Sequence, residues 1–280
     1  PLAAIMNAAD AVAEGDLSVR VPEFSGRNEF TRLAHSFNNM TEELERADQQ
    51  RRNLTADVAH ELRTPLHIIQ GNLEGVLDGV YEPTPEHIEA TLDETRLLAR
   101  LVEDLHTLSL ADAGQLPLKM EPVNVADLLA DVATSFSGQA EAQGVNLEVE
   151  TAFLPPNTHI RGDAGRLDQV LRNRVLNALR PTPSDGRITL SANLVGDAVQ
   201  ITATDTGEGI PEADLPFVLE RFWRGDRART HSGGAGGGLG LAIVKQIVVA
   251  HNGRIAVTSI PHEATTFTLT LPVSTSYGAV

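Results

Sequence analysis

From Phe30 to about Val80 the sequence sustains a single helical pattern, and this run limits the possible folds more than any other feature. Its seam reads Met40, Leu44, Ala47, then Leu54 and Val58, in the alternating four-and-three spacing of a coiled coil. Polar residues from Asp48 to Asn53 interrupt it. Such a helix cannot bury its stripe on itself and needs partner helices. Upstream, Ile5, Ala8, Ala9 and Val12 recur at helical spacing and stop at Gly15-Asp16. Leu17 to Pro22 reads as an extended connector, after which Phe30, Leu33, Phe37, Met40 and Leu44 resume a helix. Downstream, Tyr81-Glu82-Pro83 ends the long helix. Thr84 caps the next one, with Pro85 at its first position. Leucines 92, 97, 98, 101, 105, 108 and 110 carry that helix to about Ala113-Gly114. The two short helices imply a bundle with another copy, and the two long antiparallel ones suit a four-helix bundle built by two chains. A homodimer is therefore expected on physical grounds.

Composition narrows the function classes. The 280 residues leave room for more than one domain, and 41% hydrophobic content allows a sizeable core. A formal net charge of −16 argues against a nucleic-acid or anionic-membrane binder, which would present a basic surface. The absence of cysteine removes disulfides, thiolate metal sites and cysteine catalysis. No apolar run approaches the roughly 18 residues of a spanning helix. The chain begins at Pro1 already inside a helical pattern, which reads as a fragment that follows something else.

From about Gln115 the pattern alternates strands and helices. Helices are expected at Ala126–Ala142, Gly165–Leu179 and Gly240–His251. Strands are expected at Asn146–Thr151, Ile188–Leu194, Ala198–Thr204, Arg254–Ser259 and Thr265–Leu271. Strands arriving in adjacent pairs predict a mixed sheet covered on one face by helices. Ser274 to Val280 reads as a frayed tail.

His60-Glu61-Leu62-Arg63-Thr64-Pro65 lies within the long helix. At about 100° per residue, Val58 and Leu62 stand nearly opposite His60, so the imidazole faces water. Thr64 sits one turn along on the face of His60. Glu61 flanks it, where a carboxylate can hold the imidazole tautomer and accept a proton as the other nitrogen attacks. Pro65 cannot donate to the carbonyl of Glu61, so the helix loses a rung beside His60. A lone helical histidine is usually a solvated surface residue, and His35, His67 and His106 are read that way.

Farther along, Asn173 and Asn177 stand at i and i+4 on one helix face, and amide oxygens suit magnesium, a hard cation usually shared with phosphates. Asp205-Thr206-Gly207-Glu208-Gly209 ends an alternating strand; its carboxylate can accept a hydrogen bond from an adenine amino group while Gly207 and Gly209 admit the base. Phe222-Trp223-Arg224 offers an aromatic anchor for a lid. The run from Gly233 through Gly236 and Gly238, with Leu239 and Gly240, opens directly into the apolar helix that begins Leu241-Ala242-Ile243-Val244-Lys245. It offers backbone N–H groups and a positive helix end to a polyphosphate. No Gly-Lys-Ser/Thr follows, so this is not the Walker pattern.

His60 to Pro65 resembles the H box of sensor histidine kinases, and the later clusters resemble that family's ATP-binding boxes in order. The resemblance implies a multidomain α then α+β chain. Its parts would be a parallel HAMP coiled coil over 1–44, a dimeric antiparallel four-helix bundle for dimerisation and histidine phosphotransfer over 45–113, a Bergerat-type α/β sandwich ATP-binding domain over 114–273, and a tail over 274–280. It implies autophosphorylation on His60 from ATP and Mg2+, then transfer to a response-regulator aspartate, with Thr64 orienting water for a phosphatase activity. Asn173 would ligate the metal, Asn177 assist and Arg180 neutralise phosphate charge. HAMP modules normally follow a transmembrane helix, so a soluble fragment from the cytoplasmic side of the cell membrane is implied. Pro181, Arg174 and His262-Glu263-Ala264 depart from the family's usual aromatic, apolar and glycine residues. Pro181 would end its helix and Arg174 would snorkel to the surface. These departures keep open a weakened relay, scaffold or phosphatase-dominant sensor of the same architecture. An ATPase without histidine transfer is the third reading, disfavoured by the intact His60 string.

Overall fold

The computed structural model describes residues 2–22, 24, 29–223 and 238–273. The chain divides into two units, residues 1–68 and 69–280.

In the first unit, α1 (Leu2–Ala13) turns its apolar stripe inward, and Ile5 and Ala8 join Val21, Ala34 and Phe37 in a small core. Gly15 takes φ +98, the left-handed value that lets the chain leave the helix. The connector is held by a side chain: Asn38 Oδ1 accepts from the Val21 N–H at 2.8 Å, and its Nδ2 donates to the Val21 carbonyl at 2.9 Å. One amide thus satisfies both backbone groups of a segment without a strand partner. Asn38 lies on α2 (Glu29–Leu77), which remains helical through the buried Pro65. The helix ends at Leu77, short of the expected end near Val80. Gly79 adopts φ +70, and the N–H groups of Val80 and Tyr81 return to the Gly75 carbonyl at 2.8 and 2.9 Å.

The second unit opens with α3 (Pro85–Asp112), whose first turn is capped as expected: Thr84 Oγ1 accepts from the His87 N–H at 3.3 Å. Asn72 Nδ2 donates to Thr91 Oγ1 at 3.2 Å, tying the end of α2 to α3.

Next come β1 (Glu121–Asn124), α4 (Val125–Ala142), β2 (Asn146–Glu150), β3 (His159–Gly162) and α5 (Ala164–Leu179). The chain continues with β4 (Arg187–Val195), β5 (Ala198–Asp205), α6 (Gly240–Ala250), β6 (Arg254–Ile260) and β7 (Ala264–Pro272). The main sheet has the order β2-β4-β5-β7-β6, with β2 parallel to β4 and the other pairs antiparallel. This is the mixed sheet expected from sequence. The separate antiparallel pair β1–β3 was not; each strand is too short for alternation to declare itself. Ile188, Leu190 and Ala192 on β4, Val199 and Ile201 on β5, and Phe267, Leu269 and Leu271 on β7 are buried while their alternates are not. α4, α5 and α6 pack against the sheet and against one another.

Asp163 caps α5 through the Arg166 N–H at 3.0 Å, and its own N–H donates to His251 Nε2 at 3.0 Å. His251 Nδ1 donates to the Ile247 carbonyl at 2.8 Å, so the buried ring joins the start of α5 to the end of α6 as one fixed neutral tautomer.

Candidate functional site

His60 is exposed on α2, with Glu61 and Leu62 half-buried beside it. Thr64 Oγ1 donates to the His60 carbonyl oxygen at 3.4 Å, a long bond that sets the hydroxyl one turn along on the histidine's face. Val58 is half-buried and Pro65 buried, so imidazole and apolar stripe occupy different faces, as expected. Pro65 has no N–H to give the Glu61 carbonyl.

In the second unit, α5 brings Asn173 and Asn177 to the first residue of α6. Asn173 Nδ2 donates to the Gly240 carbonyl at 3.5 Å, which leaves its amide oxygen as the acceptor. A Cβ on Gly240 would lie 3.9 Å from Asn177 Nδ2 and 3.8 Å from the Asn173 amide carbon, so both amides pack on the helix start. Leu239 caps α6 without a side-chain hydrogen bond, so no side chain takes the role of acceptor there. The chain enters this turn through a tight contact: Phe222 N–H donates to the Gly238 carbonyl at 3.0 Å, and both residues have positive φ. A side chain on Gly238 would place Cβ 2.7 Å from Phe222 Cα, which only glycine avoids. Arg224, Gly233 and Gly236, with the remainder of the glycine run up to residue 237, lie outside the described residues, as does the tail from 274. Arg180 is exposed at the end of α5.

Asp205 ends β5 and is buried. Its Oδ1 accepts from the Gly207 N–H at 3.1 Å. A Cβ on Gly207 would stand 2.8 Å from that oxygen and 3.0 Å from the Pro181 carbonyl oxygen, so glycine permits the loop to close on both. Pro181 thus does more than follow the helix end, since its backbone forms one wall against Gly207. Gly209, at φ +76, lies against Pro261 and His262 in the β6–β7 turn. His262 itself takes φ +63 and donates its N–H to the Glu208 carbonyl at 2.8 Å. The missing glycine is thereby replaced by a left-handed histidine, at a cost of about 1–2 kcal/mol, and the turn keeps its contact with the loop after β5.

Arg174 corrects the sequence expectation. It does not snorkel: it is 2% exposed, with its guanidinium carbon 3.3 Å from the centroid of the Phe267 ring. Its Nε has no hydrogen-bond partner. Burial pushes the guanidinium down to about 9, against the opposing charge of Asp205. Burial pushes the Asp205 carboxyl up, while the Gly207 N–H and Arg174 pull it back down. The α5 stripe of Leu167, Val170, Leu171, Val175 and Ala178 is buried throughout, which leaves Arg174 no route to solvent. A charged residue inside an apolar helical period was the available signal.

Three family matches divide the chain: "HAMP domain" over 1–46, "His Kinase A (phospho-acceptor) domain" over 50–114, and "Histidine kinase-, DNA gyrase B-, and HSP90-like ATPase" over 162–275. The signal transduction histidine-protein kinase BaeS of Escherichia coli (strain K12) is 37% identical over 273 residues, which cover 98% of this chain and 57% of that protein. The chain thus spans little more than half the length of such curated relatives. The solved structure of the Acinetobacter baumannii histidine kinase AdeS is 30% identical with a TM-score of 0.65, covering 77% of this chain and 98% of that one. Full-length ShkA in complex with AMPPNP is 26% identical with a TM-score of 0.59, covering 81% of this chain and 47% of that one. With a phospho-acceptor segment and an ATPase domain in that order, and with AdeS matched over nearly its whole length, the chain belongs to the sensor histidine kinases of two-component systems.

Proposed function

We propose that this chain moves the γ-phosphoryl group of ATP to His60 and passes it to an aspartate of a response-regulator receiver domain. The observation that carries the reading is the exposed His60 with Thr64 one turn along, in a chain where α5 and the start of α6 bring Asn173, Asn177 and Gly240 together and β5 ends at a buried Asp205. Glu61 would hold one ring nitrogen and accept its proton while the other attacks phosphorus. Asp205 would accept the adenine amino group, with Gly207 and Gly209 keeping the base approach clear. Gly236, Gly238, Leu239 and Gly240 would offer N–H groups to the phosphates, beside Arg180.

The amides fit magnesium. Asn173 supplies a hard oxygen, with Asn177 beside it, and the described residues hold no cluster of three acidic, histidine or cysteine side chains. A cation here would therefore share the nucleotide's phosphate oxygens. Bound magnesium would neutralise charge on those oxygens. ShkA, solved with AMPPNP, supports a nucleotide triphosphate in this kind of domain.

The proposed division is 1–44 as relay module, 45–113 as dimerisation and phosphotransfer hairpin, 114–273 as ATP-binding domain and 274–280 as tail. No helix among the described residues is long and apolar enough to cross a membrane. The likeness of residues 1–46 to HAMP domains supports a full protein anchored in the cell membrane with this portion on the cytoplasmic side. Thr64 would orient water for dephosphorylating the regulator, as the second activity.

The test is incubation of the purified chain with magnesium and gamma-labelled ATP beside a His60→Ala control. Acid-labile label on the parent alone supports the reading. Label on both chains moves the acceptor elsewhere. No label on either, with nucleotide still bound, contradicts the kinase reading and favours a relay or phosphatase.

A further inference from the structure

We infer that His251 is a positioning residue for the proposed magnesium and phosphate site: it pins α5 to α6 at the ends away from that site, so that Gly240 comes to rest against Asn173 and Asn177. The inference rests on the reading that those amides share a metal with the nucleotide's phosphates.

α5 and α6 pass each other in opposite directions and touch at two marked points. At one, the Asp163 N–H donates to His251 Nε2 at 3.0 Å. At the other, Asn173 Nδ2 donates to the Gly240 carbonyl at 3.5 Å. From Asp163 to Asn173 α5 rises about 15 Å, and from Gly240 to His251 α6 rises about 16.5 Å, so the two contacts match along the pair. The contact at the site is long, and the firmer one lies at His251. Both of its partners are themselves fixed. His251 is 2% exposed, and its Nδ1 donates to the Ile247 carbonyl at 2.8 Å, which sets the ring on α6 and turns Nε2 outward as an acceptor. Asp163 Oδ1 accepts from the Arg166 N–H at 3.0 Å, and Oδ2 from the Lys119 N–H at 2.8 Å. The ring also lies on β3, where a Cβ on Gly162 would stand 3.1 Å from His251 Cδ2.

Apolar packing holds two helices together without direction, whereas a hydrogen bond fixes one point on each. Without the pin, α6 is free to slide along α5 and carry Gly240, with the N–H groups that open the helix, away from the Asn173 oxygen. Magnesium demands near-ideal coordination and tolerates such an error poorly. The base contact at Asp205 and the helix-start N–H groups do not depend on α5. Loss of the pin should therefore appear in the magnesium-dependent part of nucleotide binding, while a residue that serves only the core would weaken all binding alike.

The experiment measures ADP affinity on the full chain by titration calorimetry, once with magnesium and once with EDTA, in the parent, His251→Gln, His251→Asn and His251→Leu. The readout is the ratio of the two affinities. Glutamine keeps an acceptor near the place of Nε2 and is expected to keep the parent ratio. Asparagine keeps a donor near the place of Nδ1 but falls short of Asp163, and is expected to lower the ratio about tenfold, the low end for residues that orient metal ligands. Leucine fills the space without an acceptor and should match asparagine, which it replaces if that variant does not fold. An unchanged ratio in the asparagine and leucine variants, including equal loss in both buffers, overturns the inference. So does a folded glutamine variant whose ratio falls with theirs. If the parent itself binds ADP equally with and without magnesium, the metal reading is wrong, a failure distinct from that of His251.

Discussion

The helices before residue 113 and the α/β region after it treat their apolar residues differently. In the α/β region Ile188, Leu190, Val199, Ile243 and Ile247 are wholly buried within one chain. Along the helices Met40 remains 50% exposed, Leu66 52%, Leu73 47% and Leu92 44%. Both regions have regular hydrophobic periodicity, yet only one closes on itself. A sheet with helices on one face finds its complement among its own elements, whereas a long amphipathic helix leaves a stripe that one partner helix does not cover. Under the proposed function His60 would sit on a scaffold that a second copy completes, and the proposed nucleotide residues on one complete in a single chain.

The comparison breaks most easily at the seam. Leu44→Glu combined with Leu66→Glu would put four charges into the proposed two-chain bundle, and should cost about 5 kcal/mol or more of helical-region stability. Circular dichroism melting should show the loss there while the α/β transition keeps its midpoint. A smaller loss, confined to the α/β region, is expected from Gly209→Ala. The new Cβ would stand 2.7 Å from Pro261 Cα at a position of φ +76, costing about 2 kcal/mol in the α/β transition and weakening nucleotide binding. The smallest effect concerns Asp104 on α3, whose carboxyl burial pushes up to about 6, with Glu103 adding to the rise and Arg100 opposing it. A carboxyl raised in the folded state costs stability when ionised, so the cost is present above pH 6 and fades as pH falls toward about 4. Asp104→Asn should therefore stabilise the chain at pH 8 by no more than about 1 kcal/mol, given its partial exposure, and by nothing near pH 4. Equal gain at both pH values in urea melts would remove the charge argument.

The start of α3 was legible because its signals are local: the Thr84 cap and Pro85 act within a single turn. The five-stranded sheet was legible from alternation in β4, β5 and β7. The β1–β3 pair was not, because four-residue strands carry no period and their pairing joins residues far apart in sequence. At the site, the asparagine spacing on α5 announced that Asn173 and Asn177 share a face, but not that Gly240 meets them. Arg174 was misplaced for a related reason. Local pattern says a charge seeks solvent, and only the register of β5 on β7 reveals that Phe267 waits above it. His262 likewise reads as a lost glycine, whereas the fold forces a side chain into the left-handed conformation there.

The central claim, that the helical region needs a second copy and the α/β region does not, is tested most directly by urea unfolding across a hundredfold range of protein concentration. The account predicts two transitions, with the helical midpoint rising as concentration rises and the α/β midpoint fixed. Two midpoints that both ignore concentration, at a sedimentation mass equal to the 30.0 kDa chain, would contradict it.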